Sequence, residues 1–433
     1  MNGSRVCAVA LTGALMLGAL TGCAPAASPD DIAYQTANVR RDAQMLTVDG
    51  KGVPAEEYLF WLFNAIQQQK QAGMLTDDEN WETTLGGDAE AAASPSPDPS
   101  ASPDPSATPA PDTSTAAVLK SDALDTAKLY QVVRNKAEEL GVALTDEQNA
   151  DIDSQMADMV TQIGGEDAFQ DYLDEQCISK DGFRSLSTVS YLLDDIGDKL
   201  KEDGTLAPTD EEMTAFLDEN KIYSAKHILV MTTHQNADGT TTAFTAEEKA
   251  AAKAKADDLR KQIRDAGDTA EKFDELMNAY SEDGRDDAGA LGAPDGYTFF
   301  ENGYTMDGRS MLDSTFVATA MGLEQGQIGE PVETSFGYHI LMRVSADNED
   351  TQAMYTNYKM NELLKEWNDA AEVKTTKAYD RLDPKGFYDK LQQVLEARKA
   401  AASAAPSESP AESGAPGESA SPAASPAESK NQC

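Results

Sequence analysis

Tyr223-Ser-Ala-Lys-His-Ile-Leu-Val-Met231 and, further along, Ile328-Gly-Glu-Pro-Val-Glu-Thr-Ser-Phe-Gly-Tyr-His-Ile-Leu-Met-Arg-Val344 decide the fold. The first is rich in β-branched and apolar residues, encloses one histidine and reads as a strand. The second reads as two strands around a tight turn. Between them lie an amphipathic helix over Phe244–Ala266 with Thr245 as its cap, and a shorter helix over Phe273–Tyr280. The Gly- and Asp-rich loop Ser281-Glu-Asp-Gly-Arg-Asp-Asp-Ala-Gly-Ala-Leu-Gly292, expected to be exposed, comes next, followed by Tyr297-Thr-Phe-Phe300 and a helix over Ser310–Gly322. Strands alternating with helices in this way set 222–348 apart as a mixed unit.

The flanks have a different texture. Leu46-Thr-Val-Asp-Gly-Lys-Gly-Val-Pro-Ala-Glu-Glu-Tyr58 gives a short strand and turn leading into a helix, with Pro54 near its first turn and Glu56 and Glu57 at its positive end. Leu59, Phe60, Leu62, Phe63 and Ile66 then form an apolar stripe that must be buried. Helical patterns continue over 116–140, 145–163, 166–177 and 180–202, and Thr145-Asp-Glu-Gln and Thr209-Asp-Glu-Glu carry the capping-box signature. Beyond the mixed unit, a helix over 352–373 precedes Tyr379-Asp-Arg-Leu-Asp-Pro384 and a last helix to about Ala397. The fold class expected is α+β, a mixed unit inserted in an all-α domain built from N- and C-terminal helices. Residues 91–115 and 401–430 are mostly Ala, Ser, Pro, Asp and Glu. They hold too few large apolar side chains to offset the entropy of ordering them, so a disordered insert and tail are expected there.

Arg5, the apolar run Val6–Leu20 and Leu20-Thr21-Gly22-Cys23 read as an export signal with a lipid-attachment site. The run is shorter than the roughly 20 apolar residues of a spanning helix. The mature chain would begin at a lipidated Cys23 on the outer face of the cytoplasmic membrane; ordinary secretion with an incidental Cys23 is the alternative. Of the four cysteines, Cys7 leaves with the signal and Cys23 carries lipid, so a disulfide framework is ruled out. Cys177 reads as a small buried hydrophobe, and Cys433 has no assigned role. The balance of 35 Lys and Arg against 76 Asp and Glu, a net charge of −41, argues against nucleic acid. It suits work beside an anionic membrane, basic clients, or simple solubility.

The stretches Ala225-Lys-His-Ile-Leu-Val230, Tyr280-Ser-Glu-Asp283, Gly289-Ala-Leu-Gly292, Gly326-Gln-Ile-Gly-Glu-Pro-Val332 and Thr334-Ser-Phe-Gly-Tyr-His-Ile-Leu341, in this order, resemble the parvulin family of peptidyl-prolyl isomerases across 222–347. The resemblance implies a four-stranded antiparallel sheet with surrounding helices. With the lipid-attachment site and the helical flanks, the whole chain is similar to the PrsA-type and SurA-type extracytoplasmic foldases. The division this implies is a signal peptide (1–22), a lipidated tether (23–45), an N-terminal helical chaperone domain (46–221, with the insert 91–115), the isomerase unit (222–348), C-terminal helices packing on the chaperone domain (349–398) and a tail (399–433).

Carried over by motif, His227 and His339 fall on the family's paired core histidines, Asp283 on its cysteine-or-aspartate position and Thr334 on its hydroxyl beside the second histidine. These four are the expected catalytic network. Phe316 falls on the aromatic of the proline pocket, Leu312, next to Met311, on the pocket's usual methionine, and Met321 on its second apolar wall, giving the expected substrate-binding set. Met231 stands where phosphate-directed members carry a basic residue, which argues against a phosphoserine-proline preference.

The chemistry suits these residue types. Rotating an X-Pro amide crosses roughly 18–20 kcal/mol and takes tens to hundreds of seconds unaided. No bond breaks, so no strong nucleophile and no cofactor are needed. A dry pocket gripping the ring favours the less polar twisted amide, and polar groups can be placed to suit it. Plainer readings stand beside this one. Histidines on neighbouring strands also serve as core residues that hold a sheet and tune a carboxylate, and Phe316 and Met321 also fit a core stripe. His234 lies in a polar turn without HxxxH or Cys/His spacing, so no metal is expected. A non-catalytic holdase with an inactive parvulin unit is the rival function, motivated by Leu312. A solute-binding lipoprotein would need two α/β lobes, and no such alternation occurs outside 222–347. The expected partners are unfolded or partly folded exported polypeptides and, through the lipid, the membrane; homodimerisation is left open.

Overall fold

The computed structural model of the chain describes residues 31–76, 79–83, 113–235, 240–284 and 289–404. The signal segment, Cys23, residues 84–112 of the insert region and the tail beyond 404 lie outside them, as do the expectations that fall there.

After helix α1 (Ile32–Ala37), strands β1 (Gln44–Val48) and β2 (Lys51–Pro54) pair antiparallel around Asp49-Gly50. The φ values of 51° and 80° at these two residues are the positive ones a two-residue hairpin turn requires. Helix α2 (Ala55–Gln71) buries Tyr58, Leu59, Leu62, Phe63 and Ile66 along one stripe. Helices α3 (Thr115–Leu140), α4 (Asp146–Ile163), α5 (Glu166–Glu175), α6 (Lys180–Glu202) and α7 (Asp210–Glu219) follow. Both capping boxes form, Thr145 with Gln148 and Thr209 with Glu212. Glu57 departs from expectation: it is buried against α3, where Arg134 Nη1 donates to its carboxylate at 2.8 Å. Glu56 is also engaged, accepting the Ser179 amide at 2.9 Å. Cys177 is fully buried between α5 and α6, and burial pushes its thiol up to about 12, which suits a packing residue.

The mixed unit comprises β3 (Ile222–Met231), β4 (Thr233–Gln235), β5 (Thr241–Ala243), α8 (Ala246–Asp265), α9 (Ala270–Tyr280), β6 (Tyr297–Phe300), α10 (Ser314–Met321), β7 (Val332–Glu333) and β8 (Gly337–Val344). Its main sheet is antiparallel, in the order β6-β3-β8-β7. The period of two along β3 and β8 sorts the side chains. Ile228, Val230, Ile340 and Met342 pack with Leu259, Ile263, Phe273 and Leu276 of α8 and α9. Ala225 and Leu341 pack on the other face with Phe299 and with Phe316, Val317 and Ala320 of α10. His227, Leu229 and His339 alternate onto this second face. At the start of β8, Gly337 has φ 152°, and a Cβ there would lie 2.2 Å from the Val230 carbonyl oxygen, so only glycine admits this pairing.

One expected helix is shortened. Ser310–Leu312 are not helical: the Leu312 amide donates to Gly303 O at 2.9 Å and Met311 bridges Tyr304, because Asp313 is the residue that caps α10.

Helix α11 (Glu349–Ala370), strand β9 (Val373–Thr375), α12 (Lys377–Arg381) and α13 (Pro384–Ala404) return the chain to the first unit. Phe387, Tyr388 and Leu391 of α13 share one core with Leu46, Leu59, Leu62 and Leu119. The all-α description of the flanks needs an addition. β9 pairs with the open edge of β1, Val48 opposite Val373 and Leu46 opposite Thr375, to make a three-stranded sheet, and α11 therefore stops at Ala370 rather than Val373. Met213, Phe216, Ile222, Ala346 and Tyr355 bury the joint between the two units. Among the described residues no helix is long and apolar enough to cross a membrane.

Candidate active site

A concavity of about 220 Å³ opens on the face of the sheet that carries α10. β3 contributes His227 and Leu229, β8 contributes His339, β6 contributes Tyr297 and α10 contributes Phe316. Loops supply Asp283, Ser310, Met311, Leu312, Asp313 and Phe336. Pairing across β3 and β8 sets Leu229 opposite His339 and His227 opposite Leu341, so the two histidines meet diagonally with ring centroids 5.1 Å apart. Phe316, 3% exposed, stands edge-on to both, 5.2 Å from His227 and 5.6 Å from His339. An apolar floor is thus enclosed by imidazole edges.

The polar groups form a chain. Thr334 Oγ1 lies 2.8 Å from His339 Nε2 and accepts the Phe336 amide at 3.1 Å. The Tyr297 hydroxyl donates to Asp283 Oδ2 at 2.9 Å, and the Tyr297 ring stacks on His227 at 5.7 Å. His227 Nε2 is 3.4 Å from the same carboxylate oxygen, an electrostatic contact rather than a directed hydrogen bond. Nδ1 of each histidine is buried without a hydrogen-bond partner. The segment before Asp283 is stitched to β3: Leu229 N donates to Ser281 Oγ at 3.1 Å, and Met231 N to Glu282 Oε2 at 2.7 Å. Asp283 is consequently half-buried rather than exposed, with 27% of its side chain accessible, and its loss would leave the Tyr297 hydroxyl without an acceptor.

Burial alone would raise the Asp283 carboxyl, but His227, the Tyr297 hydroxyl and His339 outweigh it and hold the group below its ordinary value. Burial pushes Tyr297 up to about 12, helped by Asp283. Burial, then the neighbouring His227, push His339 down to about 3. His339 is therefore neutral in the folded unit at neutral pH while its unfolded counterpart takes a proton near pH 6.5. Between these values the unfolded chain binds the extra proton, so stability falls as pH falls, by up to about 1.4 kcal/mol per pH unit. Urea titrations that follow the folded His227 and His339 ring resonances should show a loss of roughly 2 kcal/mol between about pH 7 and pH 5. In His339→Gln that slope should flatten. Asp283 adds its own loss only below the ordinary carboxylate range.

Of the substrate-binding set, Phe316 and Leu312 line the concavity and Met321 does not. Five residues along a helix is about 140° around its axis from Phe316, so Met321 packs at the edge of the apolar cluster that holds Phe316 without reaching the lining. His234 is bonded to Glu248 at the start of α8, away from the lining. Among the described residues no cluster of three or more potential metal ligands occurs. Sequence reasoning missed Tyr297, Asp313 and Phe336. Phe336, 56% exposed in the turn before β8, gave no periodic signal in the sequence.

The PPIC-type PPIase (rotamase) domain matches residues 227–345. The foldase protein PrsA of Clostridium botulinum (strain Loch Maree / Type A3) is 24% identical over 281 residues, covering 59% of this chain and 72% of that protein. The foldase protein PrsA of Staphylococcus aureus (strain Newman) is 28% identical over 191 residues, 44% of this chain and half of its own length. The crystal structure of PrsA from Bacillus subtilis overlaps 70% of this chain and 92% of that one at 18% identity and a TM-score of 0.21, an overlap too poor to bear on the argument. Residues 227–345 therefore form a parvulin-type, PPIC-type domain, and the chain that carries it is similar to the foldase proteins PrsA.

Proposed function

We propose that the chain catalyses cis/trans isomerisation of X-Pro bonds in exported polypeptides and so assists their folding outside the cytoplasm. The observation that carries this reading is the buried Phe316 ring set edge-on between His227 and His339, beside an ionised Asp283. Phe316 and Leu312 grip the prolyl ring, and Met321 packs against the cluster that holds Phe316 in place. Asp283, His227, His339 and Thr334 present a fixed polar edge to the twisted amide. Such groups lower a rotational barrier by fitting the twisted state better than either planar one. A protease-coupled assay of the soluble chain from Ser28 with a proline peptide tests it. Cis-to-trans conversion at the uncatalysed rate would leave the non-catalytic holdase as the function.

In this reading the helices of 46–221 and 349–398 hold unfolded clients, the unit 222–348 isomerises them, and no cofactor takes part. Lipid on Cys23, after removal of 1–22, keeps the protein at the membrane; of the expected tether 23–45, the part from Ile32 is instead folded, with Ile32, Ala33 and Val39 packed in the core of the first unit. A single acyl chain binds only marginally, so retention needs the two or more chains of a bacterial lipoprotein. Cys23→Ser should release the protein into the medium. Retention of this variant in the membrane fraction at high salt would mean that another anchor exists.

A further inference from the structure

Helix α10, which carries Phe316, and the turn between β7 and β8, which carries Phe336, both line the pocket, and one side chain joins them. α10 is only eight residues long and β7 only two, so neither holds its place by its own regular structure. Asp313 Oδ1 accepts the Thr315 amide at 2.8 Å and so caps α10 just ahead of Phe316. Its other oxygen, Oδ2, reaches across to the turn before β8, where it accepts the Ser335 amide at 3.3 Å and Ser335 Oγ at 3.1 Å. Ser335 lies between Thr334, which meets His339 Nε2 at 2.8 Å, and Phe336 on the pocket rim.

We propose that Asp313 and Ser335 form a clasp that fixes the Phe316 wall relative to the Thr334–His339 pair, making Asp313 a positioning residue of the isomerase reaction; this rests on the isomerase reading of the pocket. A helix cap needs one oxygen, and asparagine serves there as well as aspartate. The second oxygen is explained only by the cross-link. Burial alone would push the Asp313 carboxyl up, but the amides of Thr315 and Ser335 and the Ser335 hydroxyl outweigh it, so the group stays ionised and both oxygens keep accepting at neutral pH. A drift of one wall by about 1 Å is enough to cost a site much of its rate.

The test uses the full chain. Asp313→Asn keeps the cap through its amide oxygen but turns a donor toward Ser335, whereas Ser335→Ala removes the hydroxyl donor from the other side and leaves α10 untouched. Exchange NMR on a proline peptide at several concentrations separates kcat from KM, and the ring-nitrogen resonances of His339 report its bond to Thr334. Each variant should lower kcat/KM about tenfold, chiefly in kcat, with circular dichroism unchanged. The His339 resonances should move in both, and the double variant should be no slower than Asp313→Asn alone. Wild-type kcat in Asp313→Asn with unmoved His339 resonances, or losses that multiply in the double variant, would overturn the clasp. Should Asp313→Asn not fold, Ser335→Ala decides by the same two readouts. Absence of turnover in the unmodified chain would instead refute the isomerase reading, and the clasp would then stand or fall on the His339 resonances alone.

Discussion

Phe316→Ala should remove most isomerase turnover, about 100-fold in kcat/KM, which corresponds to roughly 2.7 kcal/mol of lost stabilisation of the twisted amide. The ring is the apolar floor of the pocket, edge-on to both histidines and 6.1 Å from Phe299. Without it the prolyl ring meets open space and water, and the dry environment that favours the less polar twisted state is gone. Truncation of a buried phenylalanine also costs about 3–5 kcal/mol of stability. The folded His227 and His339 resonances must therefore persist before any rate is interpreted. Phe316→Leu, which keeps much of the volume, should fall between the two. An Ala variant that is folded and turns over at the unmodified rate would show that Phe316 is core and nothing more.

Arg134→Met should destabilise the helical unit by about 3–5 kcal/mol, the cost of leaving one partner of a buried ion pair behind. Glu57 is 5% and Arg134 18% accessible at the side chain, with Nη1 2.8 Å from Oε1. Burial already holds the Glu57 carboxyl above its ordinary value even though Arg134 pulls it down. With the guanidinium gone the value climbs further, and the folded state can relieve the charge by taking a proton. A raised folded value means that stability is present at low pH and is lost as pH rises through it. The penalty should accordingly be larger near pH 8 than near pH 5. Trp61, Trp81 and Trp367 all belong to this unit, so tryptophan fluorescence during urea unfolding reads it separately from the isomerase unit. Glu57→Leu combined with Arg134→Met should recover most of the loss. An equal penalty at both pH values would mean that Glu57 does not change its protonation between them.

The strands of the mixed unit were legible because β3 and β8 are short runs rich in apolar and β-branched residues, buried on both faces; the period of two then sends Ile228 and Ile340 to one core and His227 and His339 to the pocket. Phe316 and Asp283 were legible through motif order. What escaped was set by distant partners. Glu57 looked like a charge at a helix start until Arg134, 77 residues away, was seen to meet it. Val373-Lys-Thr375 is too short and too polar to announce a strand, and only the open edge of β1 makes it one. Met321 was placed by counting along a motif, whereas its face on α10 follows from where Asp313 starts the helix. Tyr297 and Phe336 reach the pocket from a strand end and a turn, where no periodicity points inward.

The most direct test of isomerase activity is protease-free exchange NMR of a proline-containing peptide at equilibrium, with catalytic amounts of the folded full chain. Cross-peaks linking the cis and trans forms should grow far faster than the uncatalysed tens to hundreds of seconds permit, and Phe316→Ala should remove most of the acceleration. A folded, unmodified chain that leaves the exchange at its uncatalysed rate would show that the chain is not an isomerase.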